Sequence, residues 1–518
     1  MQNLSYPFNI GPAPLCGMLL FLLCFRLWIR IRVNSQEPRH QNIIIVEPPI
    51  YILKVICRIQ YLWKGPEILQ QAHVKDIPYA IRTPEAYQVH FSSREHIKQL
   101  VQAPDTCLSL HALAKDMFQP KYTMDGLGVD DCMSANGTIH QRALQAELRS
   151  HLPALIHPLT DCIARALTEE ITDSKPLSGG WHALQIFPMA KRLITATNAL
   201  VFFGPEVSSD PVFLNAALEY PEHLMETAEV LRLLPSWLAP FVAPYLMRRH
   251  RALKILLDRL VPVVEARLLN AATTTIPTTP GHTDCIQFFV NAVARKNQQH
   301  EWPAHRIVQV LLGIWFASVH QPAMCLFYAL DDLSLHPEYT TALRDEVRAI
   351  NTAQDITNLP LLNGFLKESA RLHPTDSISL RRKVLQTFTL HDGTSLAKDD
   401  IACIPLQPLL QDPEVYIDPL TFNPYRFMNL NRDAKPRAAS TSDFTDADVT
   451  FPIWGLGKRA CPGRYYASLL LKLVLAQVLL RYDLRMLDGA QEKRYFYWRS
   501  AIVPKAGAIL QFRERAEY

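Results

Sequence analysis

The chain has 518 residues, of which 48% are hydrophobic and 20% are charged, so it can bury a large core and is neither fibrous nor disordered. Its formal net charge of +4 is too small to indicate a nucleic-acid-binding protein. The ten cysteines show no paired spacings, which favours a reducing compartment over a disulfide framework.

The N-terminus has the pattern of a membrane anchor. The mostly apolar segment Ile10 to Ile29 is bounded on its C-terminal side by Arg26, Arg30 and Arg32. Apolar residues followed by arginines are typical of an anchor whose following chain stays on the cytosolic side. Residues 1–33 are therefore predicted to be an anchor with a basic flank. Because the apolar span is short, a helix lying in the membrane interface remains an alternative.

The next elements are predicted to lead from the membrane into a folded domain. Residues 34–59 read as a linker, in which the apolar stretch Ile43 to Ile56 can dip into the membrane. Tyr79 to Thr83 and Tyr87 to Phe91 predict an early β-hairpin. Helical periodicity then extends over Ser93–Gln102, His140–Leu155, Asp161–Thr172, Phe187–Phe203, Pro211–Leu233 and Arg248–Asn270.

Trp302 to His336 has apolar residues at helical spacing, which predicts one long helix of about 50 Å. His320, Gln321 and Pro322 lie near its middle. Because proline has no N–H group, Pro322 is expected to kink the helix and to free a carbonyl group near His320. The alternative for His320 and Gln321 is a structural role as buried polar groups with local partners.

Two charged motifs follow. Glu368 and Arg371 lie three residues apart in the predicted helix Leu361 to Leu372, so they share one helix face. The same spacing also suits an ordinary surface ion pair. Ser377 to Val384 alternates as a strand, and Arg426 follows in a loop where it can be a solvated charge.

The segment Phe451 to Arg464 places Cys461 on a glycine-rich loop that continues into an apolar helix. Gly455 and Gly457 permit backbone turns closed to other residues, so the loop can curl around the sulfur and direct amide groups at it. Gly463 allows the following helix to approach a planar cofactor. The alternative is a buried, inert cysteine.

The loop pattern aromatic-Gly-x-Gly-x-Arg-x-Cys-x-Gly resembles the haem loop of the cytochrome P-450 monooxygenases. Trp454 stands where that family usually has phenylalanine. The resemblance implies that Cys461 is the axial ligand of the iron of haem b and that Arg459 meets a haem propionate. Trp454, Gly455, Gly457 and Gly463 would then surround the cofactor.

Three upstream segments resemble the same family in the same order. Glu368 to Arg371 matches its Glu-x-x-Arg motif, and the segment containing Arg426 matches the one that adds a second arginine to that carboxylate. The resemblance implies a structural triad of Glu368, Arg371 and Arg426. Arg382 matches the strand arginine that pairs with a propionate. Because Arg381 and Lys383 are adjacent cations, either of them is an alternative for this contact.

The long helix departs from the family pattern. In the family, an acid and a threonine at this point of the helix relay protons during catalysis. Here His320 takes the place of the acid, and Gln321 takes the place of the threonine. An amide cannot act as an acid near neutral pH, so the proton must pass through water, His320 or the substrate. The family's Trp-x-x-x-Arg contact to a propionate is also missing, and His140 or Arg142 is the candidate replacement.

The resemblance implies a mainly α fold with a small β region, built as one haem-thiolate catalytic domain over residues 60–518. The form of the long helix and the segment Lys121 to Met124 resemble fungal secondary-metabolite members. The implied reaction is insertion of oxygen from O2 into an apolar polycyclic compound, a terpenoid or meroterpenoid first and a prenylated indole alkaloid next.

The implied partners are a separate NADPH-cytochrome reductase, which would supply electrons from NADPH, and cytochrome b5 as a further candidate. The implied location is the endoplasmic reticulum membrane, with a single-pass anchor and a cytosolic catalytic domain. Two alternatives remain: a haem-thiolate rearrangement or dehydration enzyme that needs no external electrons, and a non-catalytic haem-binding protein with His320 as sixth ligand.

Overall fold

A computed structural model of the chain describes residues 42–48, 51–128, 143–273, 283–295, 301–428, 443–487 and 493–516. The predicted anchor, residues 1–33, lies outside this part of the chain. So do His140 and Arg142, the candidate replacements for the missing propionate contact.

Helices form most of the described chain and enclose one large apolar core. The α-helices span Tyr51–Ala72, Arg94–Gln102, Leu110–Phe118, Pro120–Thr123, Arg149–Thr172, Ile186–Phe203, Pro205–Ser208, Pro211–Leu233, Ala239–Leu246, Arg251–Thr273, Cys285–Arg295, Ala304–Leu335, Thr340–Arg348, Pro360–Leu372, Leu406–Leu410 and Arg464–Arg481.

The strands form small sheets at the edges of this core. A six-stranded sheet has the order Ile44–Val46, Tyr79–Arg82, Tyr87–His90, Ile401–Pro405, Ile378–Val384 and Leu108–Ser109. A four-stranded sheet has the order Tyr482–Met486, Ile509–Glu514, Trp181–Gln185 and Lys175–Pro176. Two hairpins pair Tyr495–Trp498 with Ala501–Pro504 and Phe388–Thr389 with Ser395–Leu396. The predicted fold class, mainly α with a small β region, is confirmed.

The predicted elements differ from the structure mainly at their boundaries. The early hairpin is confirmed, with Tyr79 opposite His90. Ile44–Val46, inside the predicted linker, pairs in parallel with Tyr79–Arg82, and a helix begins at Tyr51. The fold therefore starts before the predicted boundary at residue 60. Arg149–Thr172 is a single helix that contains two prolines, whereas the sequence suggested a break there.

Three helix prolines free carbonyl groups that neighbouring elements then use. A proline at position i leaves the carbonyl of residue i−4 without its helical donor. The helix Ala304–Leu335, hereafter the distal helix, continues through Pro322, and the free Ser318 carbonyl accepts a hydrogen bond from Asn198 at 2.7 Å. Comparable bonds form from Trp315 to the Ala217 carbonyl below Pro221, at 2.9 Å, and from the Arg499 amide to the Leu62 carbonyl below Pro66, at 2.7 Å. Each of these bonds attaches a helix to its neighbour at one defined residue.

Two described helices, Ile186–Phe203 and the distal helix, are long and apolar enough to cross a membrane. Both are packed into the protein, since 72% and 50% of their most apolar windows are buried. Their composition is therefore that of core helices.

The close approach between two elements near the predicted triad depends on Gly364. A Cβ atom added to Gly364 in the helix Pro360–Leu372 would collide with the backbone carbonyl oxygen of Pro424. Gly364→Ala is therefore expected to lower the free energy of unfolding by about 1–3 kcal/mol through overpacking. Helix propensity alone would instead raise it by about 1 kcal/mol.

Chemical denaturation of the haem-loaded protein measures this change. Gly507→Ala is the control, because a Cβ added at Gly507 meets no atom of the described part of the chain within 4 Å. A rise in stability for Gly364→Ala would contradict the packing described here.

Candidate functional site

Cys461 is held by hydrogen bonds from its own loop. Its main-chain N–H donates to the Trp454 carbonyl oxygen at 2.7 Å. The N–H groups of Gly463 and Arg464, at the start of the helix Arg464–Arg481, donate to its sulfur. Burial raises the pKa of the Cys461 thiol, while these two amides and the Arg464 charge act in the opposite direction. The loop therefore offers a buried sulfur with donors that favour its thiolate form.

The glycines of the loop allow close packing at one position and leave space at another. Gly455 and Gly457 have φ angles of 73° and 62°, which side chains rarely adopt. A Cβ atom on Gly457 would also lie 2.6 Å from Val101 Cγ1. By contrast, a Cβ atom on Gly463 would meet no atom of the described residues within 4 Å. The helix start at Gly463 is thus free to face a planar group.

Trp454 is oriented by an interaction that phenylalanine could not make. Its Nε1 donates to the Phe444 carbonyl oxygen at 2.6 Å, and the two rings meet edge to face with centroids 5.1 Å apart. Tryptophan at this position therefore adds a polar tether to the ring and leaves the backbone bond to Cys461 in place.

Arg382 and Arg459 form a cationic pair near the loop. Arg459 pairs with Asp105, and Arg382 is buried near both. Burial lowers the pKa of Arg382 to about 10, and the Arg459 charge acts in the same direction. Two guanidinium groups thus lie close together, an arrangement that suits a cofactor with anionic carboxylates.

The neighbours of Arg382 already have carboxylate partners. Arg381 binds Asp376 at 2.6 Å, and Lys383 binds Asp116 at 2.6 Å. Arg381 nevertheless lines the cavity described below, so Arg381 and Arg382 are both candidates for contact with the cofactor.

Glu368 lies between two arginines. Arg371 meets it with two parallel bonds, of 2.7 and 2.9 Å, and Arg426 Nε donates to its Oε1 at 2.9 Å. The N–H of Asn423 donates to the same oxygen at 2.9 Å. The Glu368 and Arg371 side chains are fully buried. The remaining Arg371 and Arg426 donors bind main-chain carbonyl groups, so the cluster is multiply hydrogen-bonded.

A cavity of about 1520 Å³ separates the distal helix from the cysteine loop. Phe316, Ala317, His320 and Gln321 line it from the distal helix, and Pro462, next to Cys461, lines it from the loop. The two elements identified from the sequence therefore face one space, with Pro462 of the cysteine loop on one side and the polar pair on the other.

His320 is held in its neutral form. Burial lowers its pKa to about 4, and the Lys191 charge acts in the same direction. The ring hydrogen-bonds the Pro221 carbonyl group, and its buried Nε2 has no partner among the described residues. At pH 7 His320 can thus pass a proton on, but it is not a standing imidazolium acid.

Sequence reasoning missed several residues of this region. Lys191 and Glu222 form an ion pair that lines the cavity wall near His320, and Asn198 bonds the distal helix from the helix Ile186–Phe203. The available signal was weak: a lysine and a single amide inside a largely apolar helix. Their partners lie far away in the sequence, so no local spacing could reveal them.

The described residues fit haem. Cys461 offers a thiolate-stabilising loop, Gly463 leaves room beside it, and Arg382 with Arg459 supplies charge for two carboxylates. The large cavity can accept both a planar cofactor and a substrate.

Comparison with known proteins agrees with this geometry. The family model for cytochrome P450 matches residues 124–512. An ent-kaurene oxidase of Gibberella intermedia is 29% identical, covering 97% of this chain and 92% of its own. The cytochrome P450 monooxygenase olcJ of Penicillium canescens is 28% identical, covering 74% of this chain and 72% of its own.

A solved structure, retinoic acid-bound CYP120A1 from a cyanobacterium, is similar in fold. Its TM-score is 0.64 at 17% sequence identity, and the match covers 88% of this chain and 97% of that one.

The buried charges predict a large effect of Glu368→Ala. Loss of the carboxylate leaves two guanidinium groups without their shared partner, which costs about 3–5 kcal/mol. We expect haem-free or insoluble protein, measured as haem per polypeptide in the soluble fraction. Glu414→Ala is the control, because Glu414 is exposed and its pair with Lys75 is superficial. Normal haem content in Glu368→Ala would contradict the structural role of the triad.

Proposed function

The chain belongs to the cytochrome P450 family and is a haem b monooxygenase, and from this premise we propose that it oxidises an apolar polycyclic natural product, with a terpenoid favoured. The observation that carries the proposal is the cavity of about 1520 Å³ between Cys461 and the distal helix. Met117, Phe118, Ile314 and Phe316 give it apolar walls. A relative named ent-kaurene oxidase supports a terpenoid, with a meroterpenoid or a prenylated indole alkaloid next.

The proposed roles of the residues follow from where they lie. Cys461 would be the axial iron ligand, and Arg382 with Arg459 would hold the propionates. Bound haem supplies the activation of dioxygen and the oxidation of a substrate carbon. The apolar walls orient the substrate and exclude bulk water, so that the reacting carbon stays near the iron.

The distal pair would control the proton. Gln321 faces the cavity and can order a water molecule through its amide. His320 is neutral, so its unpartnered Nε2 can accept a hydrogen bond from that water and orient it, while Nδ1 donates to the Pro221 carbonyl group; the proton itself would then travel through water. This route would replace the acid and hydroxyl that the family usually has.

Electrons would come from NADPH through a separate reductase, with cytochrome b5 as a further candidate partner. We place the protein at the endoplasmic reticulum membrane, with residues 1–33 as a single-pass anchor. Apolar side chains of Ile44, Ile45, Ile52 and Leu53 are exposed near the first described residues, which supports a membrane-facing surface there.

The direct test of the function is turnover of a substrate panel. The full-length protein in membranes, with a fungal reductase and NADPH, is given polycyclic terpenes, meroterpenoids and prenylated indoles under ¹⁸O-labelled dioxygen. We expect a product that carries one labelled oxygen atom from the terpenoid set. Equal conversion without NADPH and reductase would instead establish a rearrangement or dehydration enzyme.

Cys461→Ser is the control for haem ligation. A serine oxygen cannot replace the soft, deprotonated sulfur, so this variant should lose the thiolate-type spectrum of the reduced carbonyl complex together with product formation. If the variant keeps that spectrum, another residue binds the iron.

Gln321→Ala tests proton delivery. If the amide orders the water, the variant should bind substrate almost as the parent does, while product formed per NADPH falls roughly tenfold and peroxide release rises. Gln321→Thr should restore coupling only in part, because His320 and Pro322 still shape the helix. Gln309→Ala is the matched control, since this amide lines the same cavity from the same helix but bonds Asp125. Unchanged coupling in Gln321→Ala would assign proton delivery to His320 or to the substrate.

Deletion of Met1 to Arg32 tests the anchor. We expect the truncated protein to leave the membrane fraction at least in part and to keep its haem spectrum, because the anchor precedes the catalytic fold. Cell fractionation and absorption spectra measure both properties. Loss of haem in the truncated protein would show that the segment belongs to the catalytic fold.

A further inference from the structure

A buried hydrogen-bonded chain connects the cysteine side of the cavity to the distal side. Tyr466, in the first turn of the helix that follows Cys461, donates its hydroxyl to Asn198 Oδ1 at 2.7 Å. Asn198 Nδ2 donates to the Ser318 carbonyl oxygen at 2.7 Å. Asn198 is fully buried and Tyr466 is almost fully buried. Three helices that are distant in sequence are thus joined at one side chain.

The direction of each bond in this chain is fixed. The Ser318 carbonyl can only accept, so the amide nitrogen of Asn198 must point at it. The amide oxygen then faces Tyr466, whose hydroxyl has to donate. Asparagine carries a donor and an acceptor on one rigid plane, which makes it suited to link a carbonyl and a hydroxyl. Because both side chains are buried, removing one partner leaves the next polar group unsatisfied.

The carbonyl is available to Asn198 only because of Pro322. At any other residue a main-chain N–H would occupy the Ser318 carbonyl within the distal helix. The proline therefore creates the attachment point, and Ser318 lies on the turn that leads directly into His320 and Gln321. The Tyr466–Asn198–Ser318 bonds therefore link this turn to the helix Arg464–Arg481.

We propose that Asn198 is a positioning residue, which holds the distal turn bearing His320 and Gln321 at a fixed distance from the helix Arg464–Arg481 that follows the Cys461 loop. It touches neither substrate nor cofactor in this role. Small displacements of reacting groups have large kinetic effects, since a misplacement of about 1 Å can reduce a rate about a hundredfold. The catalytic part of the inference rests on the proposed roles of Cys461 and Gln321, whereas the mechanical part rests on the bonds themselves.

The same helix contains a matched control. Trp315 Nε1 donates to the Ala217 carbonyl oxygen at 2.9 Å, a carbonyl freed by Pro221. This bond attaches the distal helix to the helix Pro211–Leu233 and makes no connection to Tyr466. Trp315→Phe therefore removes one buried bond of the same kind from the same helix, together with part of the ring contact with Phe202 and Phe203, and leaves the Tyr466–Asn198–Ser318 bonds in place.

The experiment is a double-mutant cycle read by amide hydrogen exchange and mass spectrometry on haem-loaded protein. Tyr466→Phe removes only the hydroxyl, and Asn198→Leu replaces the amide by an apolar group with the same branching and the same number of heavy atoms. We expect each to increase exchange of residues 315–323 about tenfold, the scale of one buried hydrogen bond in a local opening equilibrium. In the Asn198→Leu background, Tyr466→Phe should cause almost no further increase in the exchange of these residues. The effects of Trp315→Phe and Tyr466→Phe on the free energy of local opening should be additive.

Several outcomes would overturn the proposal. One is full additivity of Asn198→Leu and Tyr466→Phe; another is an exchange change for Tyr466→Phe that stays within residues 464–481. Because Tyr466→Phe is a single-atom deletion, it keeps the test decisive even if Asn198→Leu fails to fold.

Turnover supplies the second readout. With a substrate in hand, product formed per NADPH should fall by the same factor in Asn198→Leu and Tyr466→Phe, and unchanged coupling in both would refute positioning. Absence of product in the parent protein would count against the proposed function alone, since the exchange cycle needs no substrate.

Discussion

The hydrogen bonds of the buried Glu368 carboxylate are the interactions on which the part of the structure around the Cys461 loop depends. The carboxylate binds Arg371 from its own helix, Arg426 from a later loop and the main-chain N–H of Asn423. A buried charge with this many partners stabilises one arrangement strongly, because any other arrangement leaves a charge unpaired in a dry interior. Gly364 lets the loop approach the helix closely enough for these bonds to form.

A continuous path leads from that helix to the sulfur. Asn363 accepts a hydrogen bond from the Phe444 amide at 3.2 Å, and the Phe444 carbonyl accepts one from Trp454 Nε1 at 2.6 Å. The Trp454 carbonyl in turn accepts the Cys461 amide at 2.7 Å. Each step is a hydrogen bond with a defined direction, so the Cys461 loop is linked to the helix that carries Glu368. The loop is accordingly not an independent unit.

Local patterns predicted the parts of the site that are local. The spacing of Glu368 and Arg371 predicted an ion pair on one helix face, and the structure has it. Pro322 predicted a freed carbonyl near His320, and the structure identifies it as Ser318. What no spacing could predict is the partner of that carbonyl, since Asn198 is brought to it by packing of the helix Ile186–Phe203 against the distal helix. The same holds for Lys191 near His320 and for the pairing of Arg459 with Asp105. Element boundaries near Tyr51 and Arg149 differed because tertiary contacts there outweigh a proline or a short apolar run.

The central claim is that one buried cysteine binds the iron across the cavity from a neutral, non-ligating His320. X-ray absorption at the iron edge of the wild-type haem-loaded protein tests it most directly, because sulfur and nitrogen neighbours scatter differently. We expect one sulfur atom in the first coordination shell of the iron in both ferric and reduced protein. A first shell of nitrogen atoms alone, with imidazole on an axial position, would contradict the account.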